Sequence, residues 1–502
     1  MRKIDVILTI FLVSAVIFVQ SSALNGTVSD DLRKISGTVT DSLGRSMPGV
    51  SVVVKGTTTG MATNVYGKYD LEVPENAILV FSFLGHLPQE IVVKNQDTIN
   101  VVMKEDWEML SGTSEGLEPA NPVFLPIKQN EKAVADNAFA FKMFREVSKL
   151  KGDNTFFSPF SLNMALGMLY NGVSGRTREE MVKALGITNL SESEINGYYQ
   201  MISQALLNID PTTDLIIANS IWYRNTLAVK NTFIETSKTY FNAEVQALDF
   251  KNPNAANLIN QWCADKTKNR INHIMGSPIP NDMMMTLINA LYFKSKWQKE
   301  KRFDKEKTKW DDFTKADNQK IKVNLMEQTT SLPYYEDDYL QCVELPYGNK
   351  AFSMIAVLPS ENRKIDKLID HLATVQWQDI TRNMKEERVW LKLPRFKIEC
   401  EIPLNQPVMN LGMKRIFNEG KDFELIANAN LKVSEIKQKT FVEVNEEGTE
   451  AAAATALIIV AYGVRKANEP VQFFADRPFL FLIREKSSGV ILFIGRVDEP
   501  KE

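Results

Sequence analysis

The sequence predicts an α+β domain preceded by a small all-β sandwich. Short segments of alternating apolar and polar residues, separated by glycines, occupy residues 35–104 and indicate strands. From residue 133 onward, apolar residues first recur at helical spacing and later form runs of strand length. Because helices precede strands instead of alternating with them, the large domain, residues 133–500, is expected to be α+β.

The first 23 residues have the pattern of a signal peptide. Met1–Lys3 supply positive charge, and Val6–Val19 form an apolar run that is short for a membrane span. Small residues at Ser21–Ala23 predict cleavage after Ala23; an uncleaved anchor is the alternative. We therefore expect the protein to be exported, and the mature protein to lie in the periplasm, at the outer membrane or outside the cell.

The small domain, residues 35–104, is predicted to be a β-sandwich because Val50, Val52 and Val54 share one face of a strand and similar short strands follow. Its sequence closely resembles the carboxypeptidase-regulatory-like domain that precedes the plug of TonB-dependent outer-membrane transporters. The segment that carries the resemblance is "ISGTVTDSLGRSMPGVSVVVKGTTTGMATNVYGKYDLEVPENAILVFSFLGH". The resemblance implies the envelope of a Gram-negative bacterium, but no chemistry and no identified partner.

Residues 105–132 are predicted to be a linker, since they contain Pro119, Pro122 and Pro126 and show little periodicity. The first helix of the large domain is then expected where four apolar residues share one helical stripe. These residues are Ala138, Phe141, Phe144 and Val147.

Composition and motifs exclude several functions. A net charge of −3 argues against a nucleic-acid binder. None of the three histidines begins a zinc-binding H-E-x-x-H pattern, and no nucleophile elbow, Walker loop or dinucleotide fingerprint is present. The sequence therefore predicts a protein that is not an enzyme, with no catalytic residues, no metal and no cofactor.

Cys263, Cys342 and Cys400 are far apart in the sequence and lack the C-x-x-C spacing of metal sites. Their apolar or mixed contexts predict buried thiols. At most one disulfide could form among three cysteines, and the sequence leaves open whether any does.

The segment "NEEGTEAAAATALIIVAY", residues 445–462, carries two conflicting preferences. Its glutamates and Ala451–Ala454 favour a helix, whereas Leu457–Val460 favour a strand. An ordinary Glu/Ala surface helix would explain the alanines. It would not explain Gly448 or the small residues on both faces.

Six blocks in the large domain resemble, in the same order, the serpin family of serine protease inhibitors. They are "NTFFSPFSLNMALGMLYNGVSGRTREEM", "LINALYFKSKWQKEKRF", "VELPYGNKAFSMIAVLPSE", "LKLPRFKIE", "FVEVNEEGTEAAAATA" and "FFADRPFLFLIREKSSGVILFIGRVDEP". The resemblance implies helices around a large mixed central sheet with an exposed reactive loop. It also implies a metastable inhibitor whose cleaved loop enters that sheet as an extra strand and traps a serine or cysteine protease.

The resemblance makes residues 447–455 the hinge that enters the sheet first. The hinge residues are Glu447, Gly448, Thr449, Glu450, Ala451, Ala452, Ala453, Ala454 and Thr455. In a strand, alternate side chains from Thr449 onward would face the core; they are small and uncharged, and Glu450 would face the other way.

Counting fifteen residues from Gly448 inclusive, in the manner of the family, places the cleaved bond at Tyr462–Gly463. A tyrosine there suits chymotrypsin-like or subtilisin-like proteases, and the preceding "IIVA" leaves papain-like proteases open. The distal part of the loop is longer than usual, so Arg465 or Lys466 remains an alternative, trypsin-like site.

The family has two residue clusters that control opening of the sheet, the shutter and the breach. The implied shutter consists of Ser158, Ser161, Asn289 and Gln438. The implied breach consists of Trp297 and Glu446. Gln438 replaces the usual histidine, so opening is expected to depend little on pH near neutrality; helix capping is the alternative role of the serines.

The predicted function is therefore suicide-type inhibition of a protease by a monomer. A non-inhibitory serpin that acts as a carrier, binding protein or envelope interaction module is the alternative. Bulky or charged hinge residues would favour that alternative, and between Gly448 and Thr455 only Glu450 is charged.

Overall fold

The computed structural model describes four parts of the chain: residues 32–103 without 42–43, 56, 58 and 84–88; residues 120–150; residues 154–449 without 362 and 419; and residues 469–502. The predicted signal peptide, most of the predicted linker, hinge residues 450–455 and the bond Tyr462–Gly463 lie outside the described residues. The chain divides into two compact units, residues 1–113 and 114–502. None of the helices in the described ranges is long and apolar enough to cross a bilayer.

The described part of the first unit contains seven strands. They are β1 (Leu32–Thr40), β2 (Ser51–Val54), β3 (Gly60–Ala62), β4 (Lys68–Pro74), β5 (Ile78–Ser82), β6 (Gln89–Val92) and β7 (Val101–Val102). They form one sheet in the order β4-β1-β7 and another in the order β3-β2-β5-β6. Both sheets contribute to a single apolar core, which confirms the predicted sandwich.

Close packing in this unit depends on one glycine and one tyrosine. A Cβ atom at Gly37 would lie 1.9 Å from the carbonyl oxygen of Ile99, so no larger residue fits there. The Tyr69 hydroxyl donates to the same carbonyl at 2.8 Å, and the Tyr69 ring meets Phe81 edge-on. The alternation read from the sequence thus produces a small core with its buried hydroxyl satisfied.

Nine helices lie in the described part of the second unit. They are α1 (Ile127–Ser148), α2 (Pro159–Tyr170), α3 (Gly175–Leu185), α4 (Glu192–Asn208), α5 (Asn231–Phe241), α6 (Ala255–Lys266), α7 (Ile365–Leu372), α8 (Trp377–Arg382) and α9 (Asn405–Asn410).

The strands of this unit follow in chain order. They are β8 (Thr155–Phe157), β9 (Asp214–Arg224), β10 (Ala243–Leu248), β11 (Met285–Lys296), β12 (Lys309–Thr314), β13 (Lys320–Glu336), β14 (Leu340–Pro346), β15 (Phe352–Pro359), β16 (Lys385–Pro394), β17 (Phe396–Pro403), β18 (Lys437–Asn445), β19 (Gly448–Thr449), β20 (Val471–Phe474), β21 (Phe479–Glu485) and β22 (Ile491–Val497).

Two sheets organise the second unit. The six-stranded sheet, hereafter the central sheet, has the order β10-β9-β11-β19-β18-β17 and is mixed, because β10 runs parallel to β9. The other sheet has the order β20-β16-β13-β14-β15-β21-β22-β8, with β12 paired to β13. Helices and both sheets share one large core. The predicted α+β class is confirmed.

Two expectations about α1 need correction. The helix begins at Ile127, so residues 127–132 are helical although the sequence assigned them to the linker. Polar residues on the outer face of this first turn hide the helical period. Ala138 is exposed, and the buried face is instead broad and centred on Phe141 and Phe144.

A buried ion pair links three neighbouring strands of the second sheet. Glu344 on β14 accepts hydrogen bonds from Arg484 on β21 at 2.7 Å and from Ser353 on β15 at 2.6 Å. Burial by itself would raise the pKa of Glu344, but Arg484, Lys486 and these hydrogen bonds outweigh it and lower the pKa to about 2. The carboxylate therefore stays charged inside the core.

Acid should weaken this unit. The pKa of Glu344 lies below its ordinary value of 4.5 in the folded state, so its contribution of about 3 kcal/mol is present above pH 4.5 and is lost as the pH falls toward 2. Glu344→Gln should lower the urea midpoint at neutral pH and flatten its fall below pH 4.5, while Glu399→Gln, on an exposed site of β17, should change neither. Equal acid sensitivity of the Glu344→Gln variant and the wild type would contradict this assignment.

Candidate functional site

Two residues of the predicted hinge are part of the central sheet. Gly448 and Thr449 form β19, which pairs with β11 on one side and β18 on the other. Thr449 lies between Ser295 and Val444 in this register. Beyond Thr449, toward Met285, the described strands β11 and β18 have no ladder with each other. Among the described residues, no strand lies between β11 and β18 beyond Thr449.

Thr449 faces the core. Its side chain is buried, with 1% of the residue exposed, and its hydroxyl lies 2.6 Å from the hydroxyl of Tyr347. Burial raises the pKa of Tyr347 well above its ordinary value, so the phenol stays neutral. The first core-facing hinge position thus accepts a small neutral side chain and one hydrogen bond.

Gly448 is required where the chain turns into the sheet. Its φ of 147° is one that side chains rarely adopt. A Cβ atom would lie 2.2 Å from the carbonyl oxygen of Ser295 and 2.6 Å from the Cα of Lys296. Any other residue would push β19 away from β11.

The predicted breach residue Trp297 is fully buried and anchors the root of the hinge. Its ring stacks on Tyr347 at 4.5 Å between centroids. Its indole N–H donates to the carbonyl oxygen of Asn445 at 2.9 Å, and its backbone N–H donates to that of Glu447 at 2.8 Å. Trp297 therefore holds the chain on both sides of Glu446.

Glu446, the other predicted breach residue, is 2% exposed. Its Oε1 accepts hydrogen bonds from Arg395 at 2.6 and 2.8 Å and from Thr308 at 2.5 Å. Burial alone would raise the pKa of Glu446, but the hydrogen bonds from Arg395 and Thr308 outweigh it, so the pKa lies below its usual range. This ion pair ties the chain before the hinge to the start of β17.

Two of the predicted shutter residues, Ser158 and Gln438, are in contact in the structure. The Gln438 side chain accepts from the Ser158 N–H at 2.7 Å and donates to the Ser158 carbonyl at 3.0 Å. The Ser158 hydroxyl also accepts from the N–H of Ser161 and so caps α2. Ser158 thus caps α2 and also contacts Gln438; its shutter role stays a prediction.

Asn289 is separate from Gln438. Its amide N–H donates to Asn219 at 2.7 Å, and its backbone carbonyl accepts from the Ser161 hydroxyl at 3.4 Å. Its side-chain oxygen is buried and has no hydrogen-bond partner among the residues that the structure describes. The structure shows no hydrogen bond between Asn289 and Gln438, two members of the implied shutter, because β11 and β18 do not pair at this level.

A cavity of about 160 Å³ lies along the gap. Its walls come from β11 and the start of β18, and its floor comes from α2. The lining includes Ser161, Leu162, Leu166, Leu287, Asn289 and Gln438. The lining also includes the charged residues Lys432, Glu435, Lys437 and Lys439. The expectation of little pH dependence near neutrality stays a prediction.

Sequence reasoning missed Arg395, Thr308, Tyr347 and Asn219. Arg395 and Tyr347 stand inside the quoted blocks "LKLPRFKIE" and "VELPYGNKAFSMIAVLPSE". An arginine among apolar residues was a signal of an ion pair, but its partner is distant in the chain. Only the fold brings Arg395 to Glu446.

Residues for metal or thiol chemistry are not assembled. Within the described residues, no group of three or more His, Cys, Asp or Glu side chains could hold a metal ion. Cys263, Cys342 and Cys400 are free and buried, as predicted. Burial raises the pKa of Cys263 to about 12, so this thiol is a poor nucleophile at neutral pH.

Comparison with known proteins decides the family. A family model described as Serpin (serine protease inhibitor) matches residues 134–500. The chain belongs to the serpin family. A second model, described as CarboxypepD_reg-like domain, matches residues 35–112 of this serpin. Both resemblances read from the sequence are confirmed, and family membership supports protease inhibition rather than catalysis as the general function.

Similar proteins come from distant organisms. Iripin-2 of Ixodes ricinus is 33% identical over 73% of this serpin and 92% of its own length. The uncharacterized serpin-like protein TK1782 of Thermococcus kodakarensis is 35% identical over 74% of this chain and 87% of its own. Among solved structures, native tengpin, a thermophilic serpin, matches with a TM-score of 0.68 and 30% identity, covering 76% of this chain and 97% of its own.

Proposed function

We propose that this serpin is a suicide-type inhibitor that traps a serine protease as an acyl-enzyme. The cleaved reactive loop would insert into the central sheet as a full strand. One observation carries the proposal: Gly448 and Thr449 already occupy the first two positions of a strand between β11 and β18. Beyond them, the facing edges of β11 and β18 have no strand partner among the described residues, and such edges are a template for another strand.

If the pairing of Thr449 continued along the loop, further loop residues would lie opposite residues of β11 and β18. Thr455 stands six residues beyond Thr449, so it would lie between Asn289 on β11 and Gln438 on β18, each six residues back from the partners of Thr449. Because side chains alternate in a strand, Thr455 would face the core as Thr449 does. Its hydroxyl would then meet the side-chain oxygen of Asn289 that lacks a donor.

The composition of the hinge suits this path. Ala451 and Ala453 would take the core-facing positions between the two threonines, and small side chains pass easily between strands that are already packed. Glu450 would point to the opposite face, where water can solvate it. The alanines tolerate a helical or irregular loop before cleavage, whereas the later "LIIV" favours the strand afterward.

Insertion would inhibit by displacement. Fifteen residues at about 3.3 Å each carry the cut end roughly 50 Å. A protease still acyl-linked at Tyr462 would be dragged over that distance and pressed against the opposite end of the domain. Its deacylation would fail because the catalytic groups lose their alignment. Inhibition is thus a race between insertion and hydrolysis of the acyl-enzyme.

We assign the target to chymotrypsin-like or subtilisin-like proteases, because Tyr462 suits a deep apolar pocket. Export by the predicted signal peptide would place the encounter in the periplasm, at the outer membrane or outside a Gram-negative cell. The matched CarboxypepD_reg-like domain supports this envelope setting. The inhibitor is proposed to act as a monomer, since one chain contains both the loop and the sheet that receives it.

Incubation of the intact protein with chymotrypsin tests the proposal. We expect a covalent adduct that survives denaturing gel electrophoresis, and a released C-terminal peptide that begins at Gly463. Chymotrypsin with its catalytic serine replaced should give no adduct, because no acyl bond can form. A peptide cut after Arg465 or Lys466 would move the assignment to trypsin-like proteases. Cleaved fragments without adduct would contradict the trapping mechanism and favour a non-inhibitory carrier or binding function.

A further inference from the structure

We propose that a cleft at the root of the hinge binds an organic cation, a ligand with a guanidinium or ammonium group on a short hydrocarbon chain. The cleft has a volume of about 460 Å³, within the range of small-molecule sites. It lies between the start of β17, the end of β18 and the two glutamates that precede Gly448. This site is independent of protease trapping.

The side-chain carboxylate of Glu447 is the group that we expect to bind the cation. It is 8% exposed, it lines the cleft, and its Oε2 atom has no hydrogen-bond partner among the described residues. The Nζ of Lys305 lies 3.5 Å from the other oxygen, too far for a strong charge-assisted hydrogen bond. A buried carboxylate oxygen without a donor is costly, so a cation that binds in the cleft and turns this side chain toward itself would gain affinity.

The other charges in the cleft leave room for an incoming cation. Arg395 is committed to Glu446 and lies 3.8 Å from Glu502. The Lys397 ammonium lies over the ring of Phe441. Glu443 makes no ion pair within the described residues, so it remains available beside Glu447 as a second carboxylate.

The shape of the cleft favours an organic cation over a metal ion or an anion. The described residues here do not form a group that could hold a metal, and the volume far exceeds that of a bare ion. Phe396 and Val444 border the cleft from the core beneath it. An anion is disfavoured because the unsatisfied atom of Glu447 is an acceptor.

Titration of the intact protein with agmatine tests the site, and N-butylurea is the neutral control of similar shape. At constant ionic strength, agmatine should raise the melting temperature by a few degrees in a saturable way, and calorimetry should show one site. N-butylurea should have no effect. A shift that is absent, or equal for both compounds, would overturn the proposal.

Matched variants locate the binding. Glu447→Gln should weaken agmatine at least tenfold, and Glu443→Gln should weaken it several-fold. Glu399→Gln, on the exposed face of β17, should bind as the wild type does. If Glu447→Gln fails to fold, the affinity of Glu443→Gln for agmatine is the test of the site. If Glu443→Gln and any folded Glu447→Gln bind agmatine as tightly as the wild type does, the proposed cation site is wrong, even if protease trapping succeeds. If protease trapping fails, the cation site can still be correct.

Discussion

Cleavage of the reactive loop is expected to raise the melting temperature of the large unit by about 10 °C or more. In the intact protein, β11 and β18 lack a ladder beyond Thr449 and enclose a cavity of about 160 Å³. Insertion would supply hydrogen bonds worth about 1 kcal/mol each on both sides of the new strand. Filling the cavity would contribute up to about 4 kcal/mol more.

Calorimetry before and after limited proteolysis measures this change. The cut must lie in residues 456–466, which a peptide map can verify. Proteolysis confined to the region between the two domains, residues 104–119, is the matched control and should leave the melting temperature unchanged. If the loop-cleaved form melts no higher than the intact form, the intact protein stores no conformational free energy and the insertion mechanism is untenable.

Thr449→Arg is expected to convert the inhibitor into a substrate. Thr449 is 1% exposed and its hydroxyl meets the buried hydroxyl of Tyr347, so an arginine there would have to bury its charge beside a neutral phenol. We expect the arginine to leave the sheet in the intact protein, so that its burial during insertion costs several kcal/mol and slows insertion by a factor of about 100 or more. Hydrolysis of the acyl-enzyme would then be faster than insertion of the loop. The stoichiometry of inhibition should rise at least tenfold, with cleaved protein replacing the covalent adduct.

Two variants provide controls for this prediction. Thr449→Ser keeps the hydroxyl and should inhibit as the wild type does. Glu450→Arg carries the same new charge one residue further on, where strand alternation would direct it to the other face, so it should affect the stoichiometry much less. Wild-type inhibition by Thr449→Arg would show that burial at this position does not control insertion.

Local features of the chain predicted much of the fold. Alternating valines and turn glycines predicted the sandwich, and Ser158, for which helix capping was the alternative role, does cap α2. The start of α1 was misjudged because its first turn is polar and follows a proline. A helix whose outer face is polar at its end carries no apolar period there to be detected.

The site was only partly predictable. The position of the hinge and the small size of its residues follow from the order of side chains in one segment, and Gly448 follows from the turn that this segment makes. The pairing of Glu446 with Arg395, the contact between Thr449 and Tyr347, and the isolation of Gln438 from Asn289 join residues that are far apart in the chain. No local pattern encodes such pairs.

By itself, the sequence determined the family, the two kinds of domain and the segment able to become a strand, because these depend on local composition and on motifs in a given order. The tertiary structure alone decided how far that segment has entered the sheet, and which buried polar atoms of the described residues lack a hydrogen-bond partner. Those properties depend on distances between strands, which are set by packing of the whole unit.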